Sequence, residues 1–178
     1  MPYTLKIDAY SHITPAKYYE AIKKIAPDMV AQKVSPVRPL YDMDHRFQLM
    51  DRHEGLVQVL TIGWPAVEEV ADAKKSVDLA MIANDGMAEL VDKYPERFVA
   101  AIACLPINNI DASLKEADRA INDLRFRGVY LHSHVNGKPL DSPEFWPLYE
   151  KMSQYDLPVY IHPHRNIDFP DYTTEQEA

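Results

Sequence analysis

Short apolar segments alternate with helical patterns five times along the chain, and this alternation limits the fold more than any other feature of the sequence. The apolar segments have the length of strands and lie at residues 5–10, 57–62, 98–105, 128–132 and 158–162. The helical patterns lie at residues 15–26, 44–53, 68–94, 111–124 and 143–155. Because apolar strands that alternate with helices are typical of parallel sheets, the sequence predicts an α/β protein.

Two parallel architectures fit this order, an open doubly wound sheet and a (β/α)8 barrel. No glycine-rich phosphate loop follows any predicted strand, which weakens the nucleotide-binding form of the open sheet. A full barrel takes about 250 residues, whereas this chain has 178 residues and five strand–helix units. A partial barrel would leave sheet edges unpaired, so we expect that further chain follows Ala178 or that a partner subunit covers the gap.

The charge balance and the single cysteine indicate the surroundings of the protein. Nineteen Lys and Arg oppose 27 Asp and Glu, which gives a net charge of −8, and no basic run is present to bind a phosphate backbone. Cys104 cannot form an intrachain disulfide, and the sequence shows neither a signal-peptide core nor a stretch approaching 18 apolar residues. We therefore expect a cytoplasmic protein without nucleic-acid or membrane partners.

Histidines are concentrated at the carboxyl ends of the predicted strands. The chain has seven, of which five follow or end a strand: His12, His132, His134, His162 and His164. Catalytic groups of parallel α/β proteins lie at this edge, and imidazole is a common ligand of zinc and similar metals. The clustering therefore predicts a metal site.

Five of the histidines, taken singly, also have a structural explanation. His12 fits a loop residue that caps the following helix, and His132 and His134 fit solvated loop positions. His45 and His53 fall within a predicted surface helix, where we expect structural roles. The site is thus indicated by the common edge and not by any one spacing.

Five stretches match, in the correct order, the motifs of a known family. They are IDAYSHITP at residues 7–15, RFQLMDRHEGLVQVL at 46–60, YPERF at 94–98, GVYLHSHVNGKPLDSPEFWPLYE at 128–150 and LPVYIHPH at 157–164. Together they resemble the amidohydrolase-2 family, which includes aminocarboxymuconate-semialdehyde decarboxylase and related aromatic-acid decarboxylases. The resemblance implies that residues 1–178 are the N-terminal part of a single metal-dependent (β/α)8 barrel domain.

The resemblance also implies roles for individual residues. His12 matches the second histidine of a pair on the first strand, and His162 matches the ligand on the fifth strand, so both are predicted metal ligands. Arg46 matches an arginine that binds a substrate carboxylate in the decarboxylases. The family's catalytic histidine and its aspartate ligand belong to later strands, so the catalytic residues are expected beyond Ala178.

Tyr10 departs from the family pattern, because it stands where the first histidine of the pair is expected. A phenol with a pKa of about 10 has to lose a proton before it binds a metal. We therefore assign Tyr10 to substrate binding, together with His134 and His164. A hydroxyl that hydrogen-bonds within the barrel mouth is the structural alternative.

The activity implied by the family is non-oxidative decarboxylation of a small carboxylic acid with a divalent metal, for which we expect zinc. Two alternatives stay open, a metal-dependent hydrolase of a lactone or amide and a metal-free small-acid binding protein that has lost catalysis. The expected partner is the small carboxylic acid, and a homodimer is a candidate assembly.

Overall fold

The computed structural model describes residues 5–163, in which the long strands lie side by side in chain order. The strands are β1 (Lys6–Ile13), β2 (Leu56–Ile62), β3 (Phe98–Ala101), β4 (Ala103–Cys104), β5 (Val129–His132), β6 (His134–Val135), β7 (Lys138–Pro139) and β8 (Val159–His162). The helices are α1 (Ala16–Ile25), α2 (Pro27–Met29), α3 (Met43–Met50), α4 (Val67–Val70), α5 (Lys75–Lys93), α6 (Ile110–Asn122) and α7 (Trp146–Tyr155). Within this range, no helix is both long and apolar enough to cross a lipid bilayer.

The long strands pair in parallel. β1 pairs with β2, β2 with β3, β4 with β5 and β5 with β8, whereas β6 and β7 form a short antiparallel hairpin. β3 and β4 belong to one extended segment interrupted at Ile102, whose N–H donates to the carbonyl of Leu60 (2.9 Å). The predicted parallel α/β fold is confirmed, and the sheet does not close into a barrel within the described residues.

The sheet is strongly curved. In a flat sheet β1 and β8 would lie about 19 Å apart, because four strand spacings of about 4.8 Å separate them. Instead, Tyr10 of β1 stacks on Tyr160 of β8 with 5.7 Å between the ring centroids. The concave face therefore brings side chains of the first and last described strands into contact.

The two faces of the sheet bury different side chains. The convex face packs against the helices and forms the main apolar core, to which Ile13 and Leu60 belong. The concave face carries a smaller cluster of Val59, Ile102 and Tyr130. Because successive residues of a strand point to opposite faces, a residue's place along its strand decides which of the two environments it enters.

β1 is longer than the sequence predicts. It continues to Ile13, so His12 lies inside the strand and not in a loop that caps α1. The ladder with β2 includes the pair His12 and Thr61, after a bulge between Asp8 and Ser11. The polar residues that end the apolar run do not end the strand, because the backbone ladder continues through them.

The single helix predicted over residues 68–94 is two helices, α4 and α5. The break lies at residues 71–74, whereas Gly86 continues α5 without interruption. Asp72 explains the new start, since its Oδ1 accepts a hydrogen bond from the backbone N–H of Lys75 (2.9 Å). A side chain that satisfies the first backbone donors favours a helix start at that point.

Candidate functional site

Aromatic side chains form two layers on the concave face of the sheet. Three strands contribute one tyrosine and one histidine each: Tyr10 and His12 in β1, Tyr130 and His132 in β5, and Tyr160 and His162 in β8. Because residues two apart on a strand share a face, each histidine lies beyond its tyrosine toward the carboxyl end. We call the two sets the tyrosine layer and the histidine layer. Catalytic residues of parallel barrels come from this end of the strands.

The structure brings together His12 and His162, the two predicted metal ligands. Their ring centroids lie 5.1 Å apart, with an angle of 47° between the ring planes. The curvature of the sheet makes this contact, because the two residues lie on its first and last described strands. Their approach at the carboxyl edge is as predicted, and their function as ligands stays a prediction.

The imidazole of His12 is neutral at physiological pH. Burial lowers its pKa to about 4, nearby His162 and Arg46 act in the same direction, and Asp8 opposes them. The Nδ1 atom lies 2.9 Å from Oγ1 of Thr61 and shares a hydrogen bond with it. The other ring nitrogen, Nε2, is therefore the one left to bind a further partner.

His132 is a member of the histidine layer that the family motifs do not identify. Its side chain is 3% exposed, its ring centroid lies 5.2 Å from that of His162, and its Nε2 lies 3.2 Å from the hydroxyl of Tyr130. The sequence does contain a signal, because Tyr-x-His occurs at residues 10–12, 130–132 and 160–162. The same motif on three strands of one sheet marks residues that share a face.

Tyr10 lies in the tyrosine layer, next to the histidines. Its ring meets that of His12 edge-on, with 5.3 Å between the centroids, and stacks on Tyr160. Burial raises the pKa of Tyr10 to about 12, although an interaction with the hydroxyl of Tyr130 lowers it in part. The phenol therefore keeps its proton at neutral pH and can act as a hydrogen-bond donor.

His134, which is assigned to substrate binding together with His164, does not lie in these layers. His134 is buried in β6, where its Nδ1 accepts a hydrogen bond from the backbone N–H of Gly137 (3.3 Å). This contact stabilises the turn between β6 and β7. His164 lies outside the described residues.

Arg46 lies on the convex side of the sheet, and its predicted binding of a substrate carboxylate stays a prediction. It is 5% exposed, and it donates to Oε1 of Gln58 (2.8 Å) and to the backbone carbonyls of His12 (2.8 Å) and Pro39 (3.1 Å). Its guanidinium lies 5.7 Å from the ring centroid of Phe98 in the main core. Burial lowers its pKa to about 10, so it stays charged. Arg46 thus ties α3 to β1 and β2.

Glu68 is a buried acid that the sequence does not reveal, because its acidic segment reads as an exposed helix start. It is 7% exposed and lies in α4, directly after the loop that follows β2. Burial raises its pKa to about 7; its own backbone N–H opposes this shift and Glu69 adds to it. Glu68 shares a narrow cavity with Cys104 and His132. A proton-carrying group therefore borders the histidine layer.

The described residues fit part of a metal site. In the range 5–163, no group of three His, Cys, Asp or Glu side chains is arranged to hold a metal ion. His12 and His162 offer imidazole nitrogens, which are suitable donors for zinc and other divalent metals. A metal held there would need further ligands in addition to these two.

Known proteins resemble the chain in sequence and in structure. A family model described as amidohydrolase matches residues 7–177. The gamma-resorcylate decarboxylase of Rhizobium radiobacter is 36% identical over 126 aligned positions, covering 67% of this chain and 38% of the relative. The crystal structure of 2,6-dihydroxybenzoate decarboxylase from Rhizobium superimposes with a TM-score of 0.77 at 29% identity, covering 96% of this chain and 54% of that chain.

A further solved structure is similar and contains a metal. It is a dihydroxybenzoic acid decarboxylase from Polaromonas sp. JS666 with bound manganese and the inhibitor 2-nitroresorcinol. The TM-score is 0.75 at 28% identity, with 96% of this chain and 52% of that chain covered. The chain thus spans 38% of the curated relative and about half of each solved chain.

Arg46→Met is expected to destabilise the full-length protein by about 2–4 kcal/mol, because buried acceptors that lose their donor cost about 1–3 kcal/mol each. Arg52→Met is the matched control, since Arg52 is exposed, and a change below about 0.5 kcal/mol is expected there. Urea unfolding of both variants measures the difference. An Arg46→Met protein of normal stability would contradict the structural role.

Glu68 is expected to make stability fall as pH rises. Its carboxyl has a pKa of about 7 in the folded protein against an ordinary 4.5, so its contribution is complete below pH 4.5 and is lost as pH rises through 7. The loss amounts to about 3 kcal/mol. Glu68→Gln should therefore be more stable than the wild type at pH 8 and similar to it near pH 4.5.

The free energy of unfolding at the two pH values measures this difference. The contributions of other titrating groups to the stability difference cancel, because wild type and variant are compared at the same pH. Glu20→Gln is the control, because Glu20 is exposed on α1 and should leave the pH dependence unchanged. Parallel pH profiles for wild type and Glu68→Gln would show that Glu68 ionises normally.

Proposed function

Because the chain belongs to the amidohydrolase family, we propose that it is part of a metal-dependent, non-oxidative decarboxylase of a small aromatic carboxylic acid. The observation that carries the proposal is the contact between His12 and His162, which puts two imidazole donors beside stacked aromatic rings at the carboxyl edge of the sheet. The similar proteins support the reaction, since one is named for gamma-resorcylate and two for dihydroxybenzoates.

We propose further that the parallel strands form the first five strands of a closed (β/α)8 barrel, with β3 and β4 counted as one strand and the β6–β7 hairpin left out. The chain would then be the N-terminal part of this single domain. β1 and β8 are the edge strands of the described sheet. Each exposes a large apolar side chain, Ile7 at 56% and Ile161 at 54%. Later strands that pair with both edges would remove the edges, and the side chains and helices of these later units would pack beside the exposed residues.

His12 and His162 are the residues that would hold the metal. When bound, a divalent metal polarises a substrate oxygen or supplies hydroxide near neutral pH. Zinc is the metal predicted from the imidazole donors, and manganese is the ion bound in the Polaromonas relative. Both zinc and manganese are therefore candidate metals for the site.

The chain's own residues suit an aromatic acid. The neutral imidazole of His12 offers a lone pair without first releasing a proton, because its pKa is about 4. The protonated phenol of Tyr10 can donate a hydrogen bond to an anionic oxygen of the acid. The stacked rings of Tyr10 and Tyr160 present a flat apolar surface against which an aromatic ring can pack. The site therefore combines a wall for the ring with donors for its polar substituents.

Some predictions from the sequence are not needed for this proposal. The substrate-binding roles of His134 and His164, the homodimer and the cytoplasmic location stay predictions. The substrate-binding role of Arg46 also stays a prediction, and its Nε and Nη1 atoms donate to groups within the fold.

Carbon dioxide release tests the reaction directly. The purified full-length protein, loaded with manganese or zinc, is expected to convert 2,6-dihydroxybenzoate or a related hydroxybenzoate to carbon dioxide and the corresponding phenol. His12→Ala should abolish this turnover, and His45→Ala should retain it, since His45 lies on α3 outside the histidine layer. Cleavage of a lactone or amide without carbon dioxide release would instead support the hydrolase alternative.

Metal content tests the site independently of turnover. His12→Ala and His162→Ala should each lower the occupancy of the purified protein strongly, because each removes an imidazole donor. His45→Ala should keep the occupancy of the wild type. Elemental analysis provides the measurement. Equal metal content in all three variants would mean that the histidine layer does not bind the metal, and a metal-free wild type would favour the binding-protein alternative.

A further inference from the structure

We propose that Thr61 and Gly63, at the carboxyl end of β2, are positioning residues that orient the imidazole of His12 so that Nε2 faces the metal. The inference rests on the proposed metal site and adds to it the residues that fix one ligand. Neither residue would touch the metal or the substrate, and both would act through His12.

Thr61 is placed by the strand ladder. It is the parallel partner of His12 in the pairing of β1 with β2, and it is fully buried. Its Oγ1 lies 2.9 Å from Nδ1 of His12. Since the backbone ladder fixes both residues, the side-chain hydrogen bond can fix the ring without a large entropic cost.

The hydrogen bond decides which nitrogen is available. A neutral imidazole carries one N–H, and the tautomer is set by the bond that the other nitrogen makes. With Nδ1 held by Thr61, Nε2 is the atom that can bind a metal. A metal on Nε2 requires Nδ1 to carry the proton, and the Thr61 oxygen then accepts a hydrogen bond from Nδ1–H. When no metal is bound, the Thr61 hydroxyl can instead donate to Nδ1. The hydrogen bond can therefore form with and without a metal on Nε2.

Gly63 supports the same ring by its lack of a side chain. A Cβ at this position would lie 3.2 Å from Cγ and 3.3 Å from Cβ of His12, closer than side chains normally pack. The backbone of Gly63 is not in the positive-φ region, whereas Gly55, Gly128 and Gly137 are. Its conformation is therefore open to any residue, and only the space required by the His12 ring favours glycine there.

Two substitutions test whether the hydroxyl of Thr61 orients the His12 ring. Thr61→Val keeps the branched shape and removes the hydrogen bond, whereas Thr61→Ser keeps the hydroxyl. Manganese and zinc affinities of the full-length protein are measured by competition with a chromophoric chelator. Loss of a partner of a metal-bound histidine typically lowers affinity about 10–100-fold, which is the decrease expected for Thr61→Val. Thr61→Ser should stay within about threefold of the wild type, since its hydroxyl remains.

Two further measurements separate positioning from folding. Nitrogen-15 spectra of histidine-labelled, metal-loaded protein should show the proton of His12 on Nδ1 in the wild type and in Thr61→Ser. Gly63→Ala should weaken metal binding because it pushes the ring aside, and thermal unfolding of each variant shows whether the fold is retained. Weak metal binding by Thr61→Val with an unchanged melting temperature supports the inference.

The outcomes distinguish this inference from the proposed function. If Thr61→Val binds metal like the wild type while His12→Ala does not, the metal site stands and the positioning role is wrong. Equal weakening by Thr61→Val and Thr61→Ser would also overturn it, because the hydroxyl would then be irrelevant. If His12→Ala itself binds metal normally, the proposed metal site fails and the inference fails with it.

Discussion

The curvature of the parallel sheet is the constraint on which the rest of the structure depends. Flat geometry would hold β1 and β8 about 19 Å apart, beyond the reach of facing side chains. Curvature instead puts His12 within 5.1 Å of His162 and stacks Tyr10 on Tyr160. The concave face is therefore both a site for polar groups and an apolar layer. A site assembled from residues of β1 and β8 requires both strands to be held in position from the convex face of the sheet.

Buried polar side chains supply that support. Asn84 of α5 donates to the carbonyl of Cys104 and accepts from its N–H, at 2.8 Å in both cases. The side-chain amide thus satisfies both backbone groups of Cys104 in β4. Asn84 also donates to Glu116 of α6 (2.6 Å), which Arg119 pairs with in turn (2.8 Å). Since unsatisfied buried groups are costly, such bonds fix the helices on the sheet more specifically than apolar packing alone.

The sequence predicts the strands well because they lie in mostly apolar runs, as in residues 57–62, which are buried on both faces. The sequence predicts less well on which face of the sheet a side chain lies, because a shift of one residue along a strand moves the side chain to the opposite face. Arg46 illustrates the limit, because its motif suggests a substrate contact and only the structure shows that Nε and Nη1 donate to groups within the fold. Glu68 illustrates a second limit, since its burial depends on how the chain returns over the sheet after β2. The repeated Tyr-x-His motif was readable, because a period of two on three strands defines a face.

His12 shows how the two faces cooperate. On the convex side its backbone carbonyl accepts a hydrogen bond from Arg46, and on the concave side its ring is bound by Thr61. Loss of the Arg46 contact would move the imidazole by shifting the backbone of β1, and loss of the Thr61 contact would move it by freeing the ring. Arg46 can therefore influence the position of His12 although it does not face the concave side, because it holds the backbone of β1. The arginine of the motif and the histidine of the first strand thus form one structural unit.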